Sequence, residues 1–467
     1  MRLIISTILP IFLSILSLKS AAKDCDCSLI LSQSIQRVEE NYALFKIKVN
    51  SDTQPSYQAF NKLYLEKAKT ISESPACQKL LNDWVAYFND KHLWVTVETE
   101  EKKVSYIQHR LQLRSYRARW KDPNISKDPI EGLWEMEGYR AAIVPDPKQY
   151  GQFNAIIVSA DNDTFKPGML KMHLKKRDGF YDMDFYRRDS TLVNSTIRFI
   201  GEHILLDDDD LAWRRLEPID RQDQVPTLDE LAKRDRYRPT LEWLDEKSAL
   251  FTLPSCSPRY GTIVDSLIAT NKDKLDHCRN LIVDVRGNGG GSDRTYRALL
   301  PYLLTSATPQ PKVGYYLSDE NVKMFRELGI LQKLNPTDTA KRGIWATMSQ
   351  VPYVSASHYA AAPLNVAILM DSKTASSGET LVLKAKTSQR VTTFGTATAG
   401  CIDGYNGNII TMTGASLRYP TSIRTLNLPQ DAIDPFGILP DIPIAANGTD
   451  PISEVMDYLT QINKEKP

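Results

Sequence analysis

The sequence has almost no net charge. Its 58 Lys and Arg residues are offset by 57 Asp and Glu residues, leaving +1 over 467 positions. A chain without a basic excess has no electrostatic footprint for nucleic acid or an acidic membrane surface, so neither is expected as a partner. Histidine is scarce, at 6 residues, and there is no Cys-x-x-Cys pair or clustered His spacing. That removes the common zinc patterns. The Lys and Ser/Thr of a phosphate loop are missing too, because Gly291 is followed by Ser292, Asp293 and Arg294. A dinucleotide site also lacks its acidic partner downstream of a first strand. No metal or organic cofactor is implied. After the N-terminus no apolar run is long enough to span a membrane, and no internal repeat or low-complexity segment interrupts the chain.

What is present reads as a globular chain too long for one core, with two or three domains. Arg2, an apolar run from Leu3 to Leu18 and then Lys19-Ser20-Ala21-Ala22 have the parts of a secretory signal peptide over 1–22. The expectation is an exported protein, periplasmic or extracellular, with no integral span after signal removal. No Cys directly follows the small residues, so a lipid anchor is not indicated. Six cysteines in an exported chain make disulfides possible. Either Cys25 or Cys27 could reach Cys77; spacing does not choose between them. Asn124, Asn162, Asn194 and Asn447 each open an Asn-x-Ser/Thr triplet.

The pattern changes along the chain. Residues 23–120 form an N-terminal helical region. Leu80, Leu81, Trp84, Val85 and Phe88 fall at helical spacing, and His92 sits at the junction where helix gives way to a strand, His92 to Val97. Residues 130–216 are short candidate strands with an Asp178-Gly179 hairpin signal, a small antiparallel barrel or sandwich with Trp134, Trp213, Tyr139 and Tyr186 as core or rim aromatics. The run Asp207 to Asp210 reads as a solvated turn rather than a cation site. Residues 217–245 read as a charged linker with one short helix. From 246 to 467 strands alternate with helices, Arg294 to Leu304 among the expected helices, the signature of an α/β domain around a parallel sheet.

Two turns in that last region can carry chemistry. The apolar strand Val366 to Met370 runs into Thr374-Ala375-Ser376-Ser377-Gly378-Glu379 and then a helix. A hydroxyl there sits on a helix N-terminus beyond the sheet's carboxyl edge, where developing negative charge is favoured. It is a place for an acyl-transfer nucleophile. The same residues also serve as ordinary N-caps. The strand Leu281 to Val285 runs into Arg286-Gly287-Asn288-Gly289-Gly290-Gly291, whose bare amides can hold an oxyanion. A tight strand-to-helix turn explains those glycines equally well.

The two motifs, in this order, resemble the C-terminal processing (tail-specific) serine peptidases and their tricorn-core and retinoid-binding-protein-like relatives. Gly437-Ile438-Leu439-Pro440-Asp441 resembles the Gly-x-x-Pro-Asp segment that closes their domain. The likeness covers about 246–445 and a short stretch around His92; the β-rich middle does not resemble the usual PDZ insert. It implies a ClpP/crotonase-like α/β catalytic domain. It implies Ser376 as nucleophile and the amides of Gly289 and Ser377 as oxyanion hole. The tail-specific branch takes its base from a Lys after Phe-Gly. Here Phe394-Gly395 leads to Cys401 with no Lys between. The tricorn-like branch uses a His, which points to His92 as base and Asp434 as the carboxylate that orients it.

The other imidazoles are His109, His173, His203, His277 and His358. Lys373, Lys384 and Lys386 are alternative amines, with Lys384 and Lys386 expected on a solvated helix face. Cys401 reads as a small buried residue facing the site, and Glu379 as a capping residue. The expected function is serine peptidase action on a peptide or protein, with C-terminal processing as one form. A non-catalytic binder of peptides or hydrophobic ligands on the same scaffold and a non-peptide esterase or amidase are the alternatives.

Overall fold

The computed structural model describes residues 25–97, 113–136, 138–161, 165–186, 192–207, 211–220, 222–232, 235–350, 353–444 and 450–465. The expected signal peptide, His109, Asn162, Asp208 to Asp210 and Asn447 lie outside the described residues.

The expected parallel sheet is present. Strands Ser248–Thr252, Asn280–Asp284, Asn365–Met370, Val391–Gly395 and Ile442–Pro443 lie side by side in that order, all parallel. Strand Asn280–Asp284 is buried along its whole length because both faces are covered. Alternate residues feed different cores, as a period of two requires. Leu281, Val283, Val366 and Ile368 pack with Leu381 and Val382 of the helix Ser377–Ala385. Ile282, Ala367 and Leu369 pack with Val455 and Leu459 of the helix Pro451–Glu465. The charged stretch before this region is not only a linker, since Thr240–Trp243 adds an antiparallel edge strand. The helix expected from Arg294 to Leu304 is shorter and broken, a 3-10 turn Arg297–Leu299 and one α-turn Leu300–Leu303, with Pro301 in the first turn of the second piece.

The N-terminal helices share a core with a second sheet. Helix Ser74–Val85 buries Cys77, Leu80, Leu81, Trp84 and Val85, and the 3-10 turn Ala86–Phe88 that follows it is closed by Asn89 in the left-handed region at φ 45°. The chain then enters strand Trp94–Val97, which pairs antiparallel with Ala415–Ile423. Leu93, Val95, Leu417 and Tyr419 are buried in one cluster with these helices. A disulfide, Cys27–Cys77, ties the first helix to Ser74–Val85. The pairing of Trp94–Val97 with Ala415–Ile423 carries His92 to a strand more than three hundred positions later.

The β-rich middle is a closed barrel. Eight antiparallel strands from Gly132–Met136 to Ala212–Glu217 pair in order, and the last pairs with the first. Closure leaves no open edge. Trp134, Trp213, Met172 and Leu174 fill the interior, each fully buried.

Candidate active site

Ser376 follows the strand Asn365–Met370 as N-cap of the helix Ser377–Ala385, with φ 53° and ψ −117°. A non-glycine residue in that conformation is strained, and such strain persists only where neighbours hold it. They do so here. Asp371 accepts from the amides of Gly287, Lys373 and Thr374, each at 3.0 Å. Thr374 Oγ1 donates to the Val285 carbonyl at 2.9 Å, and the Ala375 amide donates to the Asn288 carbonyl at 2.9 Å. The two strand-end loops are thus joined to each other.

Buried Asn288 fixes the glycine loop. Its Oδ1 accepts from Gly290 N at 3.0 Å and its Nδ2 donates to the Leu253 carbonyl at 2.8 Å. Gly290 has φ 102°, and a Cβ there would lie 2.7 Å from Ser376 Cβ and 3.2 Å from Ser377 N. Only glycine allows this approach. The Gly290 amide is occupied by Asn288, whereas among the described residues the Gly289 amide donates to no acceptor. Ser377 opens its helix, so its amide has no intrahelical acceptor.

Ser376, Ser377, His92 and Cys401 line one cavity of about 750 Å³ at the carboxyl end of the parallel sheet. That size suits a peptide segment or small ligand. His92 is half-buried, and its amide donates to Asp90 Oδ1 at 2.8 Å. Lys91 Nζ donates to the Ala399 carbonyl at 2.7 Å, pinning this segment to the turn before Cys401. Cys401 Sγ lies 3.5 Å from His92 Nδ1 and 3.6 Å from Nε2. Among the described residues no hydrogen bond joins His92 to Ser376.

Residues 248–444 match the model of peptidase family S41. The α/β region is similar to that family. No curated protein matches the chain. Among solved structures, a candidate peptidase from Parabacteroides merdae is 19% identical with TM-score 0.36, covering 47% of this chain and 64% of its own, less than two thirds. Mature CPAF bound to lactacystin is 13% identical with TM-score 0.45, covering 94% and 98%. The photosystem II D1 C-terminal processing protease is 12% identical with TM-score 0.39, covering 91% and 95%.

Within the matched region Asp434 is buried, not at the cavity wall. It accepts from the amides of Ile402 at 2.7 Å and Asp403 at 3.1 Å. Burial pushes its carboxyl up to about 7; those amides oppose this, and the charges of Asp403 and Asp90 add to it. Among the described residues no hydrogen bond joins Asp434 to His92. The acid that touches the His92 segment is Asp90, which also accepts from Tyr42. Burial, with the charges of Asp90, Asp434 and Glu379, pushes the Cys401 thiol up to about 12, so it stays protonated.

The competing bases lie elsewhere or are engaged. His173 bridges Asn154 and Gln152 in the barrel, and His203 pairs with Asp223 at 3.1 Å. His277 faces its own helix end, and His358 lies beside Ser357. Lys384 and Lys386 are half-buried, not on a solvated face. Lys384 Nζ lines the cavity wall and is held by Asp293 at 2.8 Å and Tyr296 at 3.1 Å; Lys386 is held by Asp441. Glu379 does more than cap its helix. Fully buried, it accepts from Ser376 N at 3.0 Å, Thr398 Oγ1 at 2.6 Å, Gly400 N at 2.9 Å and Cys401 N at 3.0 Å. Its place three residues after Ser376 was the only signal for this. The long partners 398–401 had none.

Proposed function

We propose that the chain is an exported peptidase in which Ser376 attacks a peptide carbonyl and His92 takes its proton. The observation that carries this reading is the shared cavity: a hydroxyl on a strained turn and an imidazole face the same space. The amides of Gly289 and Ser377 hold the oxyanion: among the described residues neither donates elsewhere, and Gly290, next to Gly289, lies against Ser376. His92 rests against Cys401 in the free protein and turns to Ser376 when a peptide fills the cavity; catalytic hydrogen bonds are often looser before substrate binds. Asp434, behind the Cys401 to Asp403 segment, is the carboxylate that stabilises the imidazolium, while Asp90 fixes the backbone of His92. C-terminal processing is one form this activity takes. The Cys27–Cys77 disulfide supports export, because such bonds persist in oxidising compartments.

One observation favours a second reading. The imidazole touches Cys401 and not Ser376, as it would in a peptide-binding protein whose catalytic group has decayed. Hydrolysis of a peptide library set against small esters separates the two and also tests the esterase alternative. The peptidase reading expects peptide turnover that falls at least about a thousandfold in Ser376→Ala and in His92→Ala, and at least about a hundredfold in Asp434→Asn. Peptide binding without turnover would favour the decayed site, and turnover of esters alone would favour the esterase.

A further inference from the structure

Charge on the cavity wall is uneven. Four cationic side chains line it: Arg294, Lys384, Arg418 and Arg424. Among the described residues the carboxylate on the same wall is Asp293, and Lys384 holds it. Arg424 is neutralised from behind by Asp403, whose Oδ1 accepts from its Nε at 3.0 Å. Arg294 is exposed, and among the described residues its side chain has neither ion pair nor hydrogen bond.

Arg418 is the better built of the two spare cations. Leu417 and Tyr419 on either side of it are fully buried in the N-terminal core. Strand alternation therefore turns Arg418 to the opposite face, toward the cavity. It stands opposite Trp94 in the register, two residues from His92, and its guanidinium lies 4.6 Å from the Trp94 ring centroid. On its other side Gly407 leaves room; a Cβ there would come within 3.2 Å of Arg418 Nε. That Nε is buried without a partner, and among the described residues the terminal nitrogens make no hydrogen bond. A guanidinium stripped of water on one edge and held over an indole is pre-set for a two-pronged partner.

We propose that Arg418, assisted by Arg294, binds a carboxylate of the peptide in the Ser376 cavity. This rests on the peptidase reading for its ligand class and adds the substrate's chemistry: an acidic side chain near the scissile bond, or the free terminal carboxylate. Each would place its two oxygens on the Arg418 fork. A peptide with an amide in that position leaves the fork unpaired.

The test uses the full mature chain carrying Ser376→Ala, so that binding is read without chemistry. A fluorescent peptide series places one Glu at each position in turn, each with its Gln counterpart, and each with a free or amidated C-terminus. Anisotropy titrations are expected to show one carboxylate binding at least about tenfold tighter than its amide. The position at which this occurs tells a side chain from a terminus. The preference is expected to shrink in Arg418→Gln, to persist in part in Arg418→Lys, and to weaken as salt rises. Arg294→Gln, an exposed change that spares the fold, is expected to reduce it further. Equal binding of every carboxylate and amide pair, no binding by any carboxylate peptide, or a preference unchanged in the Arg418→Gln/Arg294→Gln double variant with an unchanged melting temperature would overturn the proposal. Failure of Ser376 as nucleophile is a separate result, read from turnover and covalent labelling of the unmodified protein and Ser376→Ala, not from these titrations.

Discussion

A carboxylate with four donors around it and no exposed surface cannot move without breaking several bonds at once. Glu379 is such a group, and its donors belong to the Ser376 turn and to the segment that carries Cys401. Glu379→Gln keeps the shape but points an amide NH₂ at N–H donors. Its expected cost is about 2–3 kcal/mol, read from the midpoint of denaturant unfolding. An unchanged midpoint would show that the network is not holding the site. Asp434 gives a pH signature. Its carboxyl is raised from an ordinary 3.8 to about 7. The folded protein therefore keeps a proton that the unfolded chain gives up, so this residue's contribution to stability is full below about pH 4 and declines as pH rises to about 7. Asp434→Asn is expected to flatten the fall of melting temperature over that interval. The same slope in both proteins would assign it to other groups. Neither role was legible in the sequence. Glu379 looked like a helix cap because a single chain shows only neighbours. Its distant donors are backbone amides, which carry no residue signature.

Local pattern did announce the elements that present Ser376. The apolar run Val366 to Met370, the small residues after it and the glycines after Val285 are strand-to-helix junctions, and they became the joined loops beside Ser376. The helix after Arg294 was the error of this kind. Its apolar spacing was helical, but Pro301 cannot donate within a helix interior, and the segment folds as two short pieces. The conformation of Ser376 was invisible, since it depends on Gly290 lying against it. Gly290→Ala would need a Cβ 2.7 Å from Ser376 Cβ at φ 102°. It is expected to destabilise by about 1–3 kcal/mol and to cut peptide turnover more than tenfold. Full turnover in a protein of unchanged stability would mean that the close approach is unnecessary.

Across the whole molecule, the antiparallel strands of the middle region and the parallel sheet were readable because each strand has its own turn signals, while closure of the former into a barrel rather than a sandwich was not. The merging of the first helices with residues 404–423 was not, since a buried face does not name what covers it. That merging makes the Cys27–Cys77 bond matter for the site, because it braces the helix that leads to His92. Reduction, or Cys77→Ala, is expected to cost about 3 kcal/mol by the same unfolding measurement; no loss would leave the hydrophobic core as sufficient. The central claim is that Ser376 is an alcohol activated by an imidazole from the far end of the chain. Its most direct test is the rate of covalent labelling by a fluorophosphonate probe. The account expects labelling of the unmodified protein at Ser376, none in Ser376→Ala, and labelling slowed at least about a hundredfold in His92→Ala. Labelling of His92→Ala at the unmodified rate would contradict it.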